Sequence, residues 1–180
     1  MLSIWLSEHQ MNREFFDIMG QSVPALPLKQ SASIIRGNSC RLDWGELLPL
    51  QGETFIVGNP PYLGSSVMTD EQKSDAELVC GPMMGWKNLD YIALWFVKSA
   101  QLIARAQGKV QAALVSTNSI CQGEQVGILW PWMLDRIQLS FAHQSFQWTN
   151  FAKNNAGVTV VVIGLPSLSD KKPTKIHSVL

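Results

Sequence analysis

Apolar positions recur along this chain first at helical and then at strand spacing. Leu2, Trp5, Leu6, His9, Arg13, Phe16 and Met19 fall three or four residues apart, which predicts an opening helix. Pro24 and Pro27 predict an extended linker, and Ser33-Ile34-Ile35-Arg36 a short strand ended by Gly37-Asn38. Asp43-Trp44-Gly45-Glu46 begins a turn or short helix. Thr54-Phe55-Ile56-Val57-Gly58 is an apolar, β-rich run that reads as a buried strand closed by a glycine. Thr69-Asp70-Glu71-Gln72 has capping-box spacing and predicts a helix reaching about residue 79, stopped at Gly81-Pro82. Asn88 can cap the next helix, whose apolar face is Leu89, Ile92, Phe96, Ala100 and Ile103. Residues 110–116 read as a strand, 117–123 as a polar loop, and 124–134 as a helix that Pro131 must bend or restart. Residues 138–141 are a strand candidate, and 158–165 are apolar enough for a strand buried on both faces.

Strands alternating with helices predict an α/β sheet, in which ligands sit beyond the carboxyl ends of the strands. The loop Asn59-Pro60-Pro61-Tyr62 falls at such an end. Two adjacent prolines fix φ twice and remove two backbone donors, leaving carbonyl oxygens on a rigid loop. Asn59 adds a side-chain acceptor, and Tyr62 a flat ring with a polar tip. Rigid acceptors beside a stacking ring suit a planar substrate that donates from an exocyclic amine. At average residue usage this tetrapeptide arises by chance in about one chain in a couple of thousand of this length, so a plain Asn-Pro turn is the weaker reading.

Composition bounds the rest. At 180 residues with 46% hydrophobic positions the chain can bury a real core. Only 16% of residues are charged, while Trp, Phe and Met number seven each, so some surface is expected to be covered by a partner or by further parts of the protein. Net charge is zero, which excludes a general polyanion binder; any contact with DNA must take most of its phosphate-neutralising charge from elsewhere. Cys40, Cys80 and Cys121 form no CxxC pair and point to a reducing compartment. His9, His143 and His177 stand alone, so no metal site is expected. No apolar run reaches membrane-spanning length and the start lacks signal-peptide features, which gives a cytoplasmic expectation with no membrane partner.

The strand, the loop and the β–α order together resemble S-adenosylmethionine-dependent N6-adenine DNA methyltransferases. The nearer resemblance is to the MmeI type, in which a nuclease, an adenine methyltransferase and a target-recognition domain share one chain. It rests on Ser7-Glu8-His9-Gln10-Met11-Asn12, Arg36-Gly37-Asn38, Arg41-Leu42-Asp43-Trp44, Gly58-Asn59-Pro60-Pro61-Tyr62-Leu63-Gly64 and Leu89-Asp90-Tyr91. Ser116-Thr117-Asn118-Ser119-Ile120, Gln122-Gly123-Glu124-Gln125-Val126-Gly127 and Phe141-Ala142-His143 continue it, the last two being the more specific to that subgroup. The resemblance implies a partial Rossmann-like class I methyltransferase sheet with flanking helices. It implies catalytic roles for Asn59, Pro60, Pro61 and Tyr62: Asn59 and the Pro60 carbonyl accept from the adenine N6 amine, and Tyr62 stacks on the base. Phe146 matches a second aromatic against the flipped base, with Trp148 as its rival. Asn38 and Phe96 match positions that line the cofactor's adenine, although Gly37-Asn38 also reads as a strand-end turn and Phe96 as core. Asp43 and Asp90 read as helix caps.

The family's glycine-rich cofactor loop, and the acidic residue that holds the ribose, are not found in residues 1–180 and are expected upstream. So are the first two strands of its sheet, which would leave a gap between the strand near Ile34 and the one at 54–58. S-adenosylmethionine binding is therefore expected to be incomplete here. Residues 1–166 read as the C-terminal portion of a methyltransferase catalytic domain, and 167–180 as a polar tail or linker. The expected function is site-specific adenine-N6 methylation of double-stranded DNA within a restriction–modification enzyme. The partners implied are a flipped adenine and the missing N-terminal and target-recognition parts. Two alternatives stay open: a glutamine-N5 protein methyltransferase, whose amide nitrogen could use the same acceptor loop, and an inactive DNA-binding or scaffold remnant.

Overall fold

A computed structural model describes residues 2–22, 34–48, 51–106, 109–147, 157–169 and 174–177. The chain forms two compact units, divided between Gly37 and Asn38. The first contains α1 (Leu2–Met19), the helix that the opening spacing predicts. It ends where Gly20 takes a φ of 67° and its N–H donates to the Phe16 carbonyl at 2.8 Å. Glycine reaches that left-handed conformation without a Cβ penalty. The strand expected at Ile34 does not form: residues 34–36 join no ladder, and Ile34 is 90% exposed. Two isoleucines supply β propensity, but propensity expresses a fit to a pleated neighbour, and none is present. Ser33 and the two linker prolines lie outside the described residues.

The second unit is built on a mixed five-stranded sheet in the order β1-β2-β4-β3-β5. These are β1 (Glu53–Gly58), β2 (Lys109–Thr117), β3 (Phe141–Gln147), β4 (Thr159–Leu165) and β5 (Lys175–His177). β1 and β2 are parallel, so a crossover must join them; α3 (Asp70–Cys80) and α4 (Ala93–Arg105) supply it. β4 runs antiparallel between β2 and β3, and β5 pairs parallel with β3.

Thr69 closes the expected capping box on α3: Gln72 N–H donates to its hydroxyl at 3.3 Å, and Gln72 Oε1 accepts from Thr69 N–H at 2.9 Å. The predicted face of α4 is the centre of the core, with Leu89, Ile92, Phe96, Ala100 and Ile103 all 2% exposed or less. α4 packs against β2, whose Val110, Ala112, Leu114 and Ser116 are buried on alternate positions. α5 (Gly123–Leu134) packs on α4 through Leu129 and Met133, and it runs unbroken past Pro131. Of the expected strands, β4 is buried on both faces, as its apolar run requires of a central strand. Gly164 is needed there because any Cβ would collide with the Phe141 ring lying over it.

Four expectations are corrected. The 54–58 run is buried on one face only: Thr54 is buried and Ile56 packs on the core, whereas Phe55 is 64% and Val57 76% exposed. The expected gap in the sheet has no second wall among the described residues, since residues 34–36 form no strand. The 138–141 strand lies later, over Phe141–Gln147, because the apolar Ile137 and Leu139 belong to the approach rather than the ladder. The tail beyond Pro166 returns to the sheet as β5 instead of leaving it: Lys175 N–H donates to the Ser140 carbonyl at 2.9 Å, and the Thr174 hydroxyl to the Leu139 carbonyl at 2.6 Å.

One buried carboxylate fastens the segment before β1 to the helices. Asp75 on α3 is 1% exposed and accepts from Arg41 Nε at 2.6 Å, Asn38 Nδ2 at 2.8 Å and the Tyr91 hydroxyl at 2.9 Å. Lys98 on α4 donates to the Cys40 and Leu42 carbonyls at 3.1 and 2.7 Å, and lies over the Trp44 ring. Asp43 caps the short α2 (Trp44–Leu47), accepting from Gly45 N–H at 2.8 Å, as the sequence suggests. Burial pushes the Asp75 pKa upward, but the hydrogen bonds from Arg41, Asn38 and Tyr91 outweigh it and hold the carboxyl below its ordinary value.

A depressed carboxylate pKa contributes stability that is fully present above the unfolded-state value of about 3.9 and is lost as pH falls through the folded value. Asp75→Asn turns an amide toward donors that need an acceptor and should cost about 1–3 kcal/mol at neutral pH. Urea midpoints measured from pH 7 downward should show the two proteins converging below about pH 4. A constant difference across that range would exclude the ionised carboxylate as the source.

Candidate active site

Hydrogen-bond register gathers the motif residues at one end of the sheet. β1 ends at Gly58 beside Leu114, and β2 continues three residues further to Thr117. The 59–64 loop and the 118–121 turn therefore leave neighbouring strands in the same direction. β4 enters from that end with Val160 beside Thr117, and β3 leaves there with Phe146 beside Val160. A bulge between His143 and Phe146 adds one residue to β3. It sets Phe146 in the row with Val160 and Thr117, where an unbroken ladder would put Ser145. Instead the Ser145 hydroxyl donates to Asn118 Oδ1 at 2.6 Å, tying β3 to the turn after β2.

Within the loop, Asn59 is exposed, Pro60 buried and Tyr62 half-buried against the core. The Tyr62 hydroxyl donates to Asn59 Oδ1. An amide oxygen has two lone pairs, so this bond orients the Asn59 side chain and leaves a second acceptor site on it. Burial raises the Tyr62 pKa, opposed by the bond to Asn59, so the phenol stays a neutral donor.

Beyond Tyr62 the loop is fastened by the stretch preceding α4. Tyr91 N–H donates to the Leu63 carbonyl at 2.9 Å, and Ser65 N–H donates to Asp90 Oδ1 at 3.1 Å. Asp90 therefore does not cap α4, which starts at Ala93 without a side-chain cap. Nor does Asn88, whose Nδ2 donates to Glu124 Oε2 at 3.0 Å on α5. Both residues serve contacts between segments, and single-sequence reading assigns such polar groups to the nearest helix end. The role of Gln125 also escapes that reading; its only trace is an amide in the first turn of a helix that is otherwise largely apolar.

Of the residues expected at the cofactor, Asn38 is tied through Asp75 to Tyr91, the residue that holds the loop exit. Asn38 is half-buried with both ends of its amide engaged: Nδ2 donates to Asp75, and Oδ1 accepts from Cys40 N–H at 2.9 Å. Phe96 is fully buried, its ring T-shaped against Trp130 at 6.2 Å between centroids. Phe96 offers no exposed ring face, whereas Asn38 keeps a second N–H on Nδ2 and a second lone pair on Oδ1. Trp148 lies outside the described residues. The cysteines are free, with Cys40 and Cys80 buried and Cys121 exposed on the turn after β2. Among the described residues no three His, Cys, Asp or Glu side chains group as metal ligands, and no helix is long and apolar enough to cross a membrane.

Known proteins share this sequence and this arrangement. The family model described as the MmeI DNA-methyltransferase domain matches residues 1–178. A protein named DNA methyltransferase A from Bacillus subtilis (strain 168) is 45% identical over 174 residues, 94% of this chain and 20% of its own length. The solved structure of the type IIL restriction–modification enzyme MmeI in complex with DNA is similar over 97% of this chain, at 40% identity and a TM-score of 0.77. The chain spans 23% of that protein, so it corresponds to about a fifth of the length of each relative. With the family model covering nearly every residue and the α/β sheet shared with a solved member, this chain belongs to the MmeI DNA-methyltransferase domain family.

Proposed function

We propose that the 59–62 loop receives the exocyclic amine of an adenine flipped out of double-stranded DNA. The chain would then be the base-binding part of an adenine-N6 DNA methyltransferase within a restriction–modification enzyme, with S-adenosylmethionine as methyl donor. The observation that carries this reading is the loop itself: an exposed Asn59 oriented by Tyr62, with no N–H at positions 60 and 61. Membership of a DNA-methyltransferase domain family, and a solved relative described in complex with DNA, favour a base over a protein side chain as the acceptor.

The chemistry follows from the acceptors. An aryl amine is a poor nucleophile because its lone pair is delocalised into the ring. Asn59 Oδ1 and the Pro60 carbonyl, accepting from both N–H bonds out of the ring plane, favour a pyramidal nitrogen with its lone pair free to take up a methyl group. Catalysis is then positioning and electrostatics: the nitrogen–methyl bond would form as the donor's sulfur–methyl bond breaks, the neutral thioether leaves, and the extra proton on the methylated amine passes to water without an obligatory general base. The base must leave the duplex to reach these groups, and stacking on Tyr62 and Phe146 offsets part of the cost of unstacking. With zero net charge, this chain leaves phosphate neutralisation to other parts of the protein.

Three measurements test this. In the full-length protein, Asn59→Ala should lower adenine methylation by about 100-fold or more, the scale of removing one transition-state donor or acceptor, while leaving cofactor affinity intact. Near-wild-type transfer would overturn the assignment. Tyr62→Phe keeps the stacking ring and loses only the bond that orients Asn59, so it should reduce transfer several-fold, the scale of about 1 kcal/mol; a loss equal to that of Tyr62→Ala would show that the hydroxyl, not the ring, carries the effect. Calorimetric titration of residues 1–180 with S-adenosylmethionine should show no saturation at micromolar concentration, since the glycine-rich cofactor loop and the ribose-holding acid that the family uses are not found in these residues. A micromolar Kd would place the donor's grip within this chain after all.

A further inference from the structure

The acceptor loop is held at both ends. Its entry is fixed by the parallel pairing of β1 with β2, the last register pair being Gly58 with Leu114. Its exit, at Leu63 and Ser65, hangs on the stretch from Asn88, the last residue of a single 3-10 turn over Trp86–Asn88, to Tyr91. That stretch is fixed from α5, and its backbone is held there by one side chain. Gln125 is 9% exposed; its Nε2 donates to the Asn88 carbonyl at 2.9 Å and its Oε1 accepts from Asp90 N–H at 3.2 Å. A primary amide can donate to a backbone carbonyl and accept from a backbone N–H in a single plane, as a neighbouring strand would. The neighbouring Glu124 reinforces the same join by accepting from Asn88 Nδ2 at 3.0 Å.

We propose that Gln125 is a positioning residue for the acceptor loop, acting through Asp90. The chain of contacts is short. Gln125 fixes the backbone at Asp90, the Asp90 carboxylate accepts from Ser65 N–H, and Tyr91 N–H donates to the Leu63 carbonyl. Any shift of the Asn88–Tyr91 backbone therefore moves the loop end that sets the height of the Tyr62 ring and the aim of Asn59. Misplacement on the scale of an ångström costs about two orders of magnitude in rate when catalysis is positional. The amide at 125 cannot be exchanged for an acid: Gln125→Glu keeps the size but replaces the donor to Asn88 with a second acceptor facing a carbonyl oxygen.

The inference rests on the reading of the 59–62 loop as the amine site, and the test separates the two. In the full-length protein, methylation of duplex DNA is measured per folded molecule for Gln125→Glu, Asp90→Ala, Asp90→Asn and Asn59→Ala. Gln125→Glu is expected to lower kcat ten- to a hundredfold with KM for DNA within about twofold, the split that misplacement of a bound base produces. Asp90→Ala should fall with it, whereas Asp90→Asn, which keeps an oxygen for Ser65 N–H, should retain more activity than Asp90→Ala. Fluorescence of 2-aminopurine at the target position should show the flipped base less firmly held in Gln125→Glu. If Asn59→Ala abolishes transfer while Gln125→Glu leaves kcat per folded molecule unchanged, the positioning role is overturned and the amine site survives. If Asn59→Ala retains transfer, the amine site itself fails and the positioning role fails with it.

Discussion

The Asp75 carboxylate is the contact on which the arrangement around the acceptor loop depends. A buried charge is costly unless its lone pairs are filled, and here Arg41, Asn38 and Tyr91 fill them from two separate segments. Tyr91 is the hinge of this arrangement because it works in two directions. Its hydroxyl reaches Asp75, while its backbone N–H holds the Leu63 carbonyl at the exit of the loop. The packing of residues 38–41 and the placing of Tyr62 are thus consequences of one residue's position. The Trp95 ring, edge-on to Tyr91 at 5.2 Å, limits how far that position can drift.

Much of this fold is legible in the sequence where local and global preferences agree. The Thr69–Gln72 capping box, the apolar face of α4, and the double-sided apolar run of β4 each carry their own signal, and each forms as read. Failures occur where partners decide. Phe55 and Val57 have the hydrophobicity of a buried strand, but hydrophobicity does not say what does the burying. β5 is invisible because an edge strand such as Lys175–His177 is made by ladder hydrogen bonds, with its side chains all exposed. β3 is misplaced for a related reason: its own residues are largely polar, and the apolar signal sits just before it.

The site divides in the same way. Two prolines in succession determine a local geometry, so the chemistry of the 59–62 loop can be read from four residues. Polar residues with free choice of partner cannot be read so. Asp90 and Asn88 look like cap residues, yet each spends its side chain on a segment at least 25 residues distant, and Asn38 makes its local turn with Oδ1 while Nδ2 reaches Asp75. The family resemblance seen in the sequence agrees with the matched family model, which covers residues 1–178.

The outward face of β1 also has a bearing on how this polypeptide behaves in a test tube. Glu53–Gly58 carries one charge, no proline and two large apolar side chains facing water. Phe55 and Val57 lie two residues apart and so share one face of the sheet. An apolar surface of that kind favours self-association unless something covers it. A lysine in place of Val57 would set a charge on that face, the kind of gatekeeper that natural sheets use against this.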